Sequence, residues 1–161
     1  MDSNWGEALL CGAVGAVALT TVHQLARRAT DEAPEMEVVG MRALVRGFRG
    51  MGAEPPQGQQ LYGMTLAGDL ICNSLYYALV SLGRRPNVWV RGAALGLAAG
   101  FGALLLPRRM GLGDPPKSQD VANQIMTVAW YLVGGLSAAA TAVCLRETRE
   151  QAHEAYAMPI A

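Results

Sequence analysis

Four apolar runs alternate with polar segments rich in glycine and proline, and that alternation sets the pattern of this chain. The plainest run covers residues 88–106, with one charge, Arg91, near its start and Pro107 just after it. At 1.5 Å rise per residue its roughly 19 residues make about 28 Å of helix, close to the ~30 Å hydrocarbon thickness of a bilayer. Gly92, Gly96 and Gly100 recur every fourth residue and therefore share one face. In a water-soluble helix each interior glycine costs up to about 1 kcal/mol. In lipid the same spacing lets a second helix approach backbone to backbone. The pattern predicts a membrane-spanning helix built to be packed against.

Three further runs read the same way. The first spans 8–26, with Gly12 and Ala16 four residues apart, Trp5 outside it and Arg27 and Arg28 ending it. The second covers 61–82 and the last 121–145, where Gly134 or Gly135, then Ala138 or Ala139, then Ala142 repeat the small-residue spacing. The turn over 83–87 makes the second and third spans an antiparallel hairpin. Between the first two spans, acidic residues around Pro34 open a short helix over 35–49. Val38, Met41, Leu44, Val45 and Phe48 share its apolar face, with Arg42, Arg46 and Arg49 at the edge. Such a helix either lies in the membrane interface, its arginines reaching lipid phosphates, or packs on the end of the protein's own helices. Beyond 145 the sequence turns charged and is expected to fray. The fold class is an all-α integral membrane four-helix bundle with an amphipathic helix in its first loop, one domain over 1–161.

Composition agrees with a membrane setting. The chain is 52% hydrophobic and 16% charged, well below the ~25% charge of soluble domains, and the charges cluster between the apolar runs. Net charge is zero, which provides no basic field for nucleic acid. Cys11, Cys72 and Cys144 are odd in number, widely spaced and set in apolar runs, a pattern of packed thiols rather than of disulfides or a zinc site. Arginines concentrate in the first and third loops. The positive-inside rule then places those loops in the cytoplasm and both termini on the far side of the inner membrane.

Chemistry is concentrated in one half of the bilayer. His23 and Gln24 end the first span, Thr65 and Asp69 begin the second, and Gln124 and Thr127 begin the fourth. Thr65, Asp69, Asn73 and Tyr76 are spaced by three or four and form a polar stripe. An ionised Asp at the centre of a lone spanning helix costs on the order of 2.5–3.5 kcal/mol, so this face must point inward. Three readings remain open. The stripe can be interhelical glue, a path for protons, ions or small solutes, or part of a ligand or cofactor site with His23 contributing. The cofactor is unspecified, and the other histidine, His153, lies beyond the last span on the opposite side. Hydrolase, zinc-protease and phosphate-loop motifs are missing. The leading expectation is a non-enzymatic subunit of an oligomer or larger membrane complex. Its Gly92, Gly96 and Gly100 face would contact another chain, and Gly12 and Gly135 would serve helix packing. A small channel or transporter using His23, Asp69 and Asn73 is the alternative.

Overall fold

The computed structural model describes residues 5–82 and 87–157, with no side-chain description for 156 and 157. Within them the chain forms five helices and no strand: α1 (Trp5–Ala29), α2 (Met36–Gly50), α3 (Gly58–Ala78), α4 (Val88–Arg109) and α5 (Val121–Ala157). α1, α4 and α5 are long and apolar enough to cross a membrane. α3 is not among them, although it has 21 residues. Asp69, Asn73 and the tyrosines Tyr62, Tyr76 and Tyr77 dilute its apolar content. The expected set of four like spans therefore becomes three apolar helices and one more polar helix of similar length. Of the expected turn over 83–87, residues 83–86 lie outside the described residues.

α4 packs mainly on α5, α5 on α1, and α1 on α3, while α3 touches α5 only lightly. The main contacts follow the order α4, α5, α1, α3, and Tyr76 of α3 also reaches Leu95 O of α4. Neighbours run antiparallel. Gln24 near the end of α1 donates to Tyr62 at the start of α3, whereas Gly12 near the start of α1 abuts Ser74 and Ala78 near the end of α3. The buried core lies along α1, α3 and α5 and includes Cys11, Leu19, Tyr77, Trp130, Ala138 and Ala142. The outer faces carry exposed Val17, Leu25, Ile71, Leu105 and Ile125, the side chains that suit contact with lipid tails.

The glycine face of α4 is used within the chain. A Cβ on Gly92 would lie 2.5 Å from Gly135 O, one on Gly96 2.8 Å from Leu132 Cα, and one on Gly100 2.8 Å from Val128 Cα. The expectation that this face receives another chain is thus corrected: α5 of the same molecule already fills it, because Gly135 and Ala139 on α5 supply the matching small surface. Two helix ends also move. α4 continues a few residues past 106, with Pro107 inside its last turn. α5 continues without a break to Ala157, about 55 Å of helix, and an ion pair from Arg149 to Glu7 ties its extension to α1.

α2 packs on α3, and none of its residues is fully buried. Arg42 Nη1 donates to Leu112 O at 3.0 Å and to Asp114 O at 3.1 Å, and Arg46 Nη1 donates to Met110 O at 2.6 Å. These carbonyls follow the C-terminus of α4, where cations are favoured by the helix dipole. Of the two expected roles for α2, the structure displays packing on the helix ends. Arg42 and Arg46 have protein partners, and Arg49 remains exposed on the same helix.

Candidate functional site

One end of the protein gathers the C-terminus of α1 and the beginnings of α2, α3 and α5. A cavity of about 20 Å³ opens there, lined by His23 and Gln24 of α1, Glu37 of α2, Tyr62, Thr65 and Asp69 of α3, and Trp130 and Tyr131 of α5. A cavity needs roughly 10–15 Å³ to hold a water, so this one has room for about one.

His23 stacks on Trp130 with ring centroids 4.8 Å apart. Its Nε2 lies 3.5 Å from Glu37 Oε2, and among the described residues neither of these buried atoms makes a hydrogen bond. Glu37 also forms an ion pair with Arg27 one turn further along α1. Arg27 is about one third exposed and Glu37 about one tenth, so the carboxylate is the buried member of the pair. Burying that charge would be costly without the guanidinium beside it. Asp69 lines the cavity yet stays exposed, which places it at the mouth.

The segment before α2 is clasped by the α4–α5 loop and the first turn of α5. Lys117 Nζ lies 2.9 Å from Glu35 Oε1 and donates to Asp31 O, while Asn123 Nδ2 donates to Glu32 O at 2.9 Å and to Lys117 O at 2.8 Å. The Lys117 ammonium holds the Glu35 carboxyl below the usual carboxylate range. These contacts fix where α2 begins and so where Glu37 enters the cavity.

The polar residues expected to act together divide into two groups. His23, Gln24, Thr65 and Asp69 meet at the cavity. Thr65 Oγ1 is engaged with Leu61 O at 2.8 Å, so it contributes shape more than a free hydroxyl. Asn73 lies outside the cavity and donates to Asp69 O in its own helix at 2.9 Å. Tyr76 Oη donates to Leu95 O of α4 at 3.0 Å, and its neighbour Tyr77 donates to Tyr131 O at 2.7 Å. Thr127 is buried, bonded to Asn123 O at 2.9 Å and 4.0 Å from Met36 Sδ. Gln124 donates to Ser118 O and faces a different cleft, between α4 and α5. The expected stripe is therefore not continuous across the protein. Asn73 and Tyr76 satisfy backbone carbonyls because helix-interior and interhelical carbonyls were the nearest acceptors.

Glu37, Arg27, Tyr62, Trp130 and Tyr131 were not among the expected site residues. Glu37 had a legible signal: it stands four residues before Met41 and seven before Leu44, a carboxylate on the apolar face of its helix. Among the described residues no cluster of three or more His, Cys, Asp or Glu side chains forms. Compared with protein-family models, curated proteins and solved structures, the chain matches none.

Proposed function

We propose that this chain is a non-enzymatic membrane protein that handles protons through the cavity at His23, Glu37 and Asp69. The reading takes α3 as a fourth crossing. α1 and α4 end on the same side as the cavity, so the chain must return through the layer between them, and α3 runs alongside α1 in the required direction. The arginine-bearing cavity side then faces the cytoplasm, with both termini opposite.

The observation that carries the proposal is the pair of buried, unbonded atoms, His23 Nε2 and Glu37 Oε2, beside a space for about one water. A proton is the one species that needs no larger space and is exchanged by all three side chains. Beyond Asp69, Asn73 and Tyr76 are bound to backbone carbonyls.

Proton flux into vesicles containing the purified protein tests the reading, with a membrane potential imposed and an internal pH dye as readout. Flux above that of empty vesicles is expected, with Asp69→Asn and Glu37→Gln each reducing it. His23→Phe, which keeps the ring against Trp130, should reduce it as well. Wild-type flux equal to that of empty vesicles refutes the proposal.

The subunit reading keeps one specific observation in its favour. α5 is about 55 Å long, well beyond the ~30 Å of a hydrocarbon layer, and its extension is charged and exposed. A strict monomer in mild detergent, unaltered by removing residues 146–161, would defeat it.

A further inference from the structure

We propose that the cleft between α4 and α5 binds one anionic phospholipid, its phosphate on Arg108 and an acyl chain along the apolar walls. The cleft is an open groove of about 670 Å³, within the ~300–1,000 Å³ of small-molecule sites. It lies on the face of α5 away from the His23 cavity. Phe101, Leu104 and Leu105 of α4 and Ile125, Val128 and Leu132 of α5 form its walls. Arg108, Asp114 and Gln119 form its other end. Seven residues of helix, about 10 Å, separate Phe101 from Arg108, so the cleft passes from apolar to cationic along the membrane normal. A phospholipid has the same gradient.

Charge selects the lipid. The Arg108 side chain is exposed and, among the described residues, makes no hydrogen bond or ion pair. Arg109 follows it, and Arg42 and Arg46 sit on the carbonyls of the next loop. The Asp114 carboxylate offsets one charge and accepts from the Gln119 amide at 3.4 Å. The remaining excess is positive and needs an anion. A second copy related by a twofold axis along the membrane normal would bring the same arginines face to face, which is repulsive. A basic pocket between spanning helices at the cytoplasmic side is well suited to an anionic headgroup.

The proposal rests on the membrane reading and not on proton handling. Purified protein in mild detergent is mixed with equimolar phosphatidylglycerol and phosphatidylcholine of equal chain length, and retained lipid is read by native mass spectrometry. One phosphatidylglycerol per chain should be retained in preference to phosphatidylcholine. Arg108→Gln should lower its retention about fivefold, the factor expected from ~1 kcal/mol per basic residue near a headgroup. Ile125→Trp, a substitution at an exposed wall position, should fill the cleft and lower retention of both lipids. Arg28→Gln, on the same side but on α1, should leave retention unchanged. Equal retention of the two lipids overturns the site, as does an Arg28→Gln effect matching that of Arg108→Gln, or an inert Ile125→Trp. A dimer lost in Ile125→Trp would assign the cleft to a second copy and also overturn it. Protein that stays in water without detergent would instead refute the membrane reading itself.

Discussion

Replacing Gly96 by alanine adds one methyl group where α4 and α5 touch. That methyl would lie 2.8 Å from Leu132 Cα and 2.8 Å from Tyr131 O, and backbone atoms cannot rotate out of its way. Overpacking of this kind costs about 1–3 kcal/mol. The better helix propensity of alanine returns about 1 kcal/mol, so the net effect is destabilisation of about 1 kcal/mol. Gly68→Ala is the matched control: a Cβ there meets nothing within 4 Å, so only the propensity gain remains. The two variants should differ by about 2 kcal/mol, roughly thirtyfold in the unfolding equilibrium. Unfolding in mixed micelles at rising dodecyl sulfate fraction, followed by far-ultraviolet circular dichroism, measures both under one condition. Gly12→Ala should be worse than Gly96→Ala, since its Cβ would overlap Ser74 O and sit 2.7 Å from Ala78 N. Gly96→Ala as stable as Gly68→Ala would refute the packing argument.

Tyr77→Phe removes the hydroxyl bonded to Tyr131 O and should cost about 0.6 kcal/mol, with ~1.7 as the upper end for interhelical bonds in membranes; the same micelle titration reads it. The Glu35–Lys117 pair adds a pH dependence. The depressed Glu35 carboxyl contributes stability above the ordinary carboxylate range and loses it as pH falls through its lowered value. The pair is largely exposed, so the contribution is about 0.2–1 kcal/mol, seen as a fall in the unfolding midpoint as pH drops below the ordinary carboxylate range. In Lys117→Gln that part of the fall should vanish; an unchanged profile would exclude the pair as its source.

The helices were legible because their signals are local. Apolar runs of bilayer length placed α1, α4 and α5, and the apolar face of 38–48 placed α2. Helix ends were less legible. The charged sequence after 145 reads as a tail, yet Arg146, Glu147, Arg149 and Glu150 are all tolerated in a helix, and Arg149 finds Glu7 across 142 positions of sequence. The partner of the α4 glycine face was illegible for a related reason. Gly92, Gly96 and Gly100 announce a close neighbour, but periodicity cannot say whether that neighbour belongs to the same chain. Gly134, Gly135, Ala138 and Ala139 were equally visible on α5, and pairing the two small faces would have answered the question. The polar stripe failed at Asn73 and Tyr76 because a shared helical face shows where side chains emerge, not which carbonyl they reach.

The cavity was half legible, and the missing half explains what α2 does. A carboxylate on the docking face of an amphipathic helix is unfavourable there unless a cation waits for it, and Arg27 is that cation. Docking of α2 and closure over His23 are then one event, because Glu37 is both the anchor of the helix and a wall of the cavity. This coupling can be locked. A Cβ on Gly40 would lie 2.6 Å from Thr65 Cγ2, so cysteines at 40 and 65 come within the ~3.5–4.5 Å Cβ separation of a disulfide after slight adjustment. In a background with Cys11, Cys72 and Cys144 replaced by alanine and His153 by glutamine, diethyl pyrocarbonate reports on His23 alone. Oxidation of Gly40→Cys/Thr65→Cys should slow that modification, and reduction should restore it, because the crosslink holds α2 beside His23. Equal rates in both redox states would mean that His23 is reached by another route, and α2 would then be a bystander to the cavity rather than its cover.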